Sequence, residues 1–103
     1  MKDEKYNGWT NYETWNFSLW NDFYSLAEEF DYLQDELAED RDGVIRQIEN
    51  ALEEQTEEMC PFDLSGASFY HDIFGAALQQ VNWYEIAEHV VEQMEERIAQ
   101  NDF

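Results

Sequence analysis

Rows of carboxylates at helical spacing are the feature of this chain that could do chemistry. Between Val81 and Phe103, glutamates recur three and four positions apart, opposite an apolar row that runs from Trp83 to Ile98. This pattern predicts an α-helix with one buried face and one acidic face, on which a negative charge recurs about every 5.4 Å. Two further predicted helices repeat it. The outward acids of the three helices are Glu28, Glu29, Asp35, Glu36, Glu49, Glu53, Glu54, Glu57, Glu85, Glu88, Glu92, Glu95 and Glu96.

The overall charge indicates which partners such faces could bind. The formal net charge is −20, from 25 Asp and Glu against 5 Lys and Arg, and residues 1–37, 38–66 and 67–103 carry −7, −7 and −6. A small domain needs a net charge of only about 2–8 for solubility. An evenly acidic surface repels nucleic acid and anionic lipid and favours basic partners, above all the surfaces that hold nucleic-acid phosphates. Two plainer interpretations stay open: a solvated surface that serves solubility, and adaptation to high salt.

A calcium-binding loop is a second candidate for these acids. Four residues match positions 3, 5, 6 and 12 of an EF-hand loop: Asp40, Asp42, Gly43 and Glu49. However, Ala38 stands where the first aspartate belongs, and Arg46 places a cation among the ligands. The sequence therefore favours a turn between helices, with Asp42 capping the following helix, and predicts no metal site.

Other chemistry finds little support. The only histidines, His71 and His89, each adjoin an acid in sequence, and adjacent residues point apart on a helix. No serine lies in a nucleophile motif and no glycine loop could cradle phosphate, so we predict no enzyme and no cofactor.

Cys60 is alone, which excludes a disulfide framework and fits a reducing cytoplasm. No apolar run approaches the roughly 18 residues of a membrane span, and the first residues do not form a signal peptide.

The elements that position the acids are predicted to be four or five helices. They form an all-α, single compact domain over residues 1–103, after a polar lead-in over residues 1–9. Thr10 and Glu13 predict a capping box for the first helix, and Asn21 leaves open whether the second helix is separate. Cys60–Ala67, with the only proline, predicts a loop. We expect the aromatic first helix and the apolar fourth helix, Phe69–Val81, at the centre.

Aromatic residues offer an alternative binding surface. Those that could form a patch are Trp9, Tyr12, Trp15, Trp20, Phe23, Tyr24, Trp83 and Tyr84. Tryptophan and tyrosine dominate binding hot spots, but helical spacing favours packing in the core. Phe17 and Tyr24 lie off the apolar faces and are expected to be exposed.

The stretch from Asn7 to Trp20, NGWTNYETWNFSLW, resembles the signature of a family of small proteins carried by bacteriophages, plasmids and other mobile elements. That signature is G-W-x-N-Y-x-T-W, followed by a hydrophobic residue and a second tryptophan-like position. The matching residues are Gly8, Trp9, Asn11, Tyr12, Thr14, Trp15, Leu19 and Trp20. The resemblance implies no catalytic residues. It implies a protein of mobile elements, whose small acidic proteins are often inhibitors of host defences, among them DNA mimics that block restriction or CRISPR complexes.

These observations lead to one hypothesis and one alternative. The first is a cytoplasmic, non-enzymatic, DNA-mimicking inhibitor of the anti-restriction or anti-CRISPR type. Its acids would occupy the basic surface of a nucleic-acid-binding protein, without contacting nucleic acid or membrane itself. The alternative is a small helical interaction module that acts through an aromatic patch. The sequence does not predict the oligomeric state.

Overall fold

A computed structural model describes residues 7–59 and 69–101 of the chain. Within these ranges the structure is helical, without a β-strand, which confirms the all-α prediction. The helices are α1 (Tyr12–Trp20), α2 (Phe23–Glu29), α3 (Gln34–Leu37), α4 (Arg41–Glu58), α5 (Phe69–Gln80) and α6 (Trp83–Asn101), with a 3₁₀ turn over Asp31–Leu33. The predicted loop over Cys60–Ala67 and most of the predicted lead-in lie outside the described residues.

The described part has six α-helices where four or five were predicted, because the second predicted helix is divided. The chain leaves the helical path at Phe30, passes through the 3₁₀ turn and re-enters a helix at Gln34. This bend takes the chain from α2, which packs on α6, to α3, which packs on α4. Leu26 and Phe30 before the 3₁₀ turn and Leu37 after it are all buried, so the spacing of these residues carried no sign of the break.

Helix starts differ from the predicted ones in two places. Asn11, not Thr10, caps α1, and its side-chain oxygen accepts a hydrogen bond from the Thr14 backbone. Asp40, not Asp42, caps α4 by accepting from the Gly43 backbone at 3.0 Å. Each true cap is the residue whose extended backbone turns its side chain towards the first free N–H groups.

Side-chain caps define two other helix boundaries. Asn82 caps α6, with its side-chain oxygen accepting a hydrogen bond from the Glu85 backbone nitrogen at 3.1 Å. Asn21 ends α1 and Asp22 caps α2, so these are separate helices.

One hydrophobic core joins α2, α3, α4 and α6. Its most extensive contacts are those of α6 with α4 and with α2, so α6 lies between two other acidic helices. The buried side chains are Leu26, Ala27, Phe30, Leu33, Leu37, Val44, Ile45, Ile48, Leu52, Trp83, Ile86, Ala87, Val90, Val91 and Met94. The predicted apolar faces of α4 and α6 are confirmed.

The expectation that the aromatic first helix and the apolar fourth helix lie at the centre is wrong. The only buried residue of α1 is Thr14, and α5 has none. The two helices pack against each other beside the core, which they touch through Phe17, Leu78 and Val81. The outer surface of α5 keeps large apolar side chains exposed, among them Phe69 and Ile73.

Candidate partner-binding surface

All acidic side chains in the described ranges lie outside the core. These ranges contain 21 of the 25 acids, all but Asp3, Glu4, Asp63 and Asp102, and the only buried polar residue among them is Thr14. Eight of the thirteen predicted acids are exposed: Glu28, Glu29, Asp35, Glu36, Glu54, Glu57, Glu92 and Glu96. Five are half-buried: Glu49, Glu53, Glu85, Glu88 and Glu95.

The outward face of α6 carries the most regular row. Glu85, Glu88, Glu92 and Glu96 follow steps of three, four and four residues, opposite the buried Val90. With a rise of 1.5 Å per residue, successive carboxylates are separated along the axis by about 4.5–6 Å. The row extends over about 16 Å.

The acids of α4 form a second group. Glu53, Glu54 and Glu57 line, with Asn50, a shallow cleft of about 240 Å³ on the outer side of this helix. Glu49 lies one turn earlier on the same flank as Glu53. The exposed acids of α2 and α3 make a third group, in which Glu36 accepts a hydrogen bond from Gln47 of α4 at 3.1 Å.

Each described arginine is paired with an acid, and two of them, Arg41 and Arg97, pair across helices. Arg41, at the start of α4, makes two hydrogen bonds to Glu95 of α6, at 2.8 and 3.2 Å. The bond to Glu95 raises the pKa of Arg41, and the charges of Glu88 and Glu92 raise it further.

Arg46 takes part in a second contact between α4 and α6. Its Nε lies 3.0 Å from Asp42 Oδ2, and the Tyr84 hydroxyl donates to Asp42 Oδ1 at 2.8 Å. These bonds from Tyr84 and Arg46 lower the pKa of Asp42, while the same carboxylate raises the pKa of Tyr84. The guanidinium also lies over the Tyr84 ring, 5.8 Å from its centroid.

Arg97 links α6 to the end of α2. It donates to Asp31 at 2.8 Å and lies 3.9 Å from Glu28. Its guanidinium lies 5.2 Å from the centroid of the Tyr24 ring, which is half exposed. Tyr24, one of the two aromatics expected to be exposed, is therefore already in contact with a cation.

The residues of the predicted EF-hand-like turn have other partners. Asp40 caps α4, and Asp42 binds Tyr84 and Arg46. The described part of the chain holds no group of three or more His, Cys, Asp or Glu placed to bind a metal ion. His89 packs 4.3 Å from the Trp9 ring, and its Nδ1 lies 3.8 Å from Glu92.

The predicted aromatic patch is divided between core and surface. Trp9 stacks on Phe23 with ring centroids 5.8 Å apart. Phe17 packs edge-on against Trp83 at 5.3 Å, so the expectation that it is exposed is wrong. Trp20 has 80% of its surface exposed, and the neighbouring Leu19 has 58%.

A cleft between α1 and α5 adjoins these exposed residues. It has a volume of about 370 Å³, and its lining includes the apolar Phe17, Trp20, Leu78 and Trp83 and the polar Glu13, Asn16 and Thr56. We call it the α1–α5 cleft. Sequence reasoning missed it, because the apolar faces that line it were assigned to the core.

A polar contact holds α1 against the start of α6. Thr14 is fully buried, and its hydroxyl accepts from the Asn82 backbone at 2.8 Å and donates to Asn11 at 2.6 Å. Asn11 also donates to the Gln80 carbonyl at 2.7 Å, and Glu85 accepts from the Thr10 backbone at 3.1 Å. Three of these residues, Thr10, Asn11 and Thr14, lie within G-W-x-N-Y-x-T-W. The motif therefore fixes the first turn of the acidic helix α6.

Comparison with known proteins places the whole helical region in one family. A model described as a family of unknown function (DUF7249) matches residues 2–101. No curated protein and no solved structure matches the sequence. In the described part of the chain, none of the helices is both long enough and apolar enough to cross a membrane. Because the matched region covers nearly all of the chain, the protein belongs to the DUF7249 family.

Proposed function

We propose that this protein is a non-enzymatic, DNA-mimicking inhibitor that occupies the basic groove of a nucleic-acid-binding protein in the cytoplasm. The observation that carries the proposal is that α2, α4 and α6 hold their acids outward on one core, while each described arginine is paired with an acid. A restriction or CRISPR component is the class of target that the N-terminal resemblance implies.

Charge density supports this assignment. A single helical row has one carboxylate about every 5.4 Å, whereas a DNA strand has one phosphate about every 3.4 Å along the axis. Two rows side by side reach about one charge per 2.7 Å, between the values for one strand and for a duplex (about 1.7 Å). Since α6 packs against both α4 and α2, two or three such groups share one body.

The mechanism would be competition. Lysine and arginine side chains that normally bind phosphates would form charge-assisted hydrogen bonds with carboxylates held in place by the core. Long-range attraction would make association fast, and added salt would slow it. Inhibition by this competition needs no covalent bond to be made or broken.

The test compares charge reversals of equal size in different places. Glu92→Lys with Glu96→Lys alters the α6 row, and Glu53→Lys with Glu57→Lys alters the α4 group. Glu39→Lys with Asp72→Lys is the control, because both residues are exposed, lie outside the thirteen proposed acids, and change the net charge equally. Each protein is immobilised, exposed to a bacterial lysate at low salt and eluted either with free duplex DNA or with a salt gradient. Circular dichroism checks the fold of each variant.

The proposal expects the parent and the control to retain nucleic-acid-binding proteins that free duplex DNA displaces. Both test variants should lose them. Equal retention by all four proteins, or retention that duplex DNA does not reverse, would exclude the acidic faces as a DNA mimic. A second candidate function, an interaction module that acts through aromatic residues, is favoured by the exposure of Trp20 and predicts retention insensitive to salt.

A further inference from the structure

The α1–α5 cleft belongs to a longer apolar surface. The Asn11 side chain at the start of α1 binds the Gln80 carbonyl at the end of α5, so α1 runs back along α5. Its last residue, Trp20, lines the same cleft as Phe74 of α5, and Ile73 beside Phe74 is 57% exposed. Trp20 is both part of this surface and part of the cleft.

The dimensions of this surface match a helix rather than a small molecule. The nine residues of α1 and the twelve of α5 correspond to lengths of about 13 Å and 18 Å. Two packed helices leave a groove into which a third can place residues i, i+3 or i+4, and i+7, which span about 10 Å. A small ligand would fill the cleft and leave the exposed Leu19 and Ile73 uncovered.

Charge around the cleft restricts the chemistry of that helix. Glu13 and Thr56 both line the cleft, and on the flank of α4 that carries Thr56, Glu53 lies one turn earlier and Glu49 two turns earlier. Helices α1 and α5, and α4 after Arg46, contain no lysine or arginine. A partner helix would therefore meet carboxylates at its edges and no arginine or lysine from these helices.

We infer that the α1–α5 cleft docks a basic amphipathic helix of a partner protein, with its apolar side chains against Trp20 and Leu78 and its lysines or arginines beside Glu13 and Glu53. This interaction goes beyond the proposed DNA mimicry, because it needs an apolar face on the partner and shares only Glu53 with the thirteen proposed acids. A second copy of this chain is a poor occupant, since its own edges are acidic. An anionic membrane surface is disfavoured for the same reason.

Three synthetic peptides of about 14 residues test the inference by fluorescence anisotropy. The first forms a helix with leucines at i, i+3, i+4 and i+7 and lysines on the flanks. The second has the same composition in an order without an apolar face, and the third has glutamates in place of the lysines. Measurements at about 0.15 M salt suppress long-range attraction between lysines and the acidic protein, because the Debye length is then about 8 Å.

Trp20→Ala is the test variant, and Tyr32→Ala is its control, because Tyr32 is 73% exposed and lies in the 3₁₀ turn, outside the cleft. The first peptide should bind at least about tenfold more tightly than the other two. Trp20→Ala should weaken it at least about tenfold, as is typical of a hot-spot residue, and Tyr32→Ala less than about twofold. Glu92→Lys with Glu96→Lys should leave this binding within about twofold, so that its outcome is separate from that of the DNA-mimic test.

Three results would overturn the inference. Equal binding of the ordered and the reordered peptide would mean that the lysines alone are recognised. Unchanged binding to Trp20→Ala would place the peptide elsewhere. Sedimentation that shows self-association of the parent, abolished by Trp20→Ala, would mean that a second copy occupies the cleft.

Discussion

Replacing Thr14 with valine tests whether one buried hydroxyl holds α1 to the start of α6. Valine has nearly the same shape, so the packing around this fully buried residue changes little. The substitution removes the acceptor of the Asn82 backbone N–H, at 2.8 Å, and the donor to Asn11, at 2.6 Å. Asn11 keeps its bond from the residue-14 backbone at 2.9 Å, so the main loss is the partner of Asn82.

The expected cost follows from that unsatisfied group. A donor left without a partner in a buried setting costs about 1–3 kcal/mol, and a net hydrogen bond contributes about 0.5–1.5 kcal/mol. Asn82 is only half-buried, so water would recover part of the loss. We expect the free energy of unfolding to fall by about 2 kcal/mol, which in a domain of this size lowers Tm by about 8–16 °C.

Chemical and thermal unfolding measure this change, with Thr56→Val as the matched control. The Thr56 hydroxyl donates to the Leu52 carbonyl at 2.8 Å inside α4, and that carbonyl is an ordinary helix acceptor without it. The control should therefore change stability by less than about 0.5 kcal/mol. Hydrogen exchange gives a local reading, because the Asn82 amide should exchange faster in Thr14→Val and stay protected in Thr14→Ser.

A stability of Thr14→Val within about 0.5 kcal/mol of the parent would refute the reasoning. It would mean that the contact between α1 and α6 depends on the apolar packing of Trp9 and Phe17 instead. An unchanged exchange rate at Asn82 would lead to the same conclusion even if stability fell.

Two further predictions concern charge. The hydrogen bond to Asp42 raises the pKa of Tyr84, so its contribution to stability is present below the usual tyrosine pKa of about 10 and is lost as pH rises through the higher pKa of the folded state. In Asp42→Asn, the pKa of Tyr84 followed by nuclear magnetic resonance should shift towards the usual value. The same bond lowers the pKa of Asp42, so its contribution is present above about pH 4 and is lost as pH falls through the lower folded value. Raising the salt concentration from about 0.01 M to about 0.15 M shortens the Debye length from about 30 Å to about 8 Å and should raise Tm, since it screens the repulsion among a net charge of −20. A fall in Tm would mean that the arginine pairs outweigh the repulsion.

The regular faces of α4 and α6 could be predicted from sequence because their apolar period continues for 18 and 19 residues. Over such a length, several apolar residues mark the buried face and several acids mark the exposed face. Ile48 and Val90 are buried as expected, and Glu57 and Glu92 are exposed as expected.

The position of α5 could not be predicted by the same means. Its apolar period shows that one face avoids water, but it does not identify the element that covers that face. Here α1 covers one flank, and Phe69 and Ile73 stay exposed. The cleft thus depends on where two helices meet, which no local pattern records.

Cap positions could not be predicted for a related reason. Thr10 and Asn11 are both good caps, and so are Asp40 and Asp42. The choice depends on contacts distant in sequence, since Asn11 also binds Gln80, and Asp42 is held by Tyr84. Local propensity ranks the candidates nearly equally, and tertiary hydrogen bonds decide between them.

The arginines show how the chain can be strongly acidic and still fold. Arg41 joins α4 to α6, and Arg97 joins α6 to the end of α2, through acids 54 and 66 residues away. Arg41 and Arg97 thus lie at contacts between helices, where each pairs with an acid of a neighbouring element. Glu95 and Glu28, two of the thirteen proposed acids, are used there and are less available to a partner. The remaining acids face outward from helices that these ion pairs hold together. A rigid array of negative charge requires this arrangement.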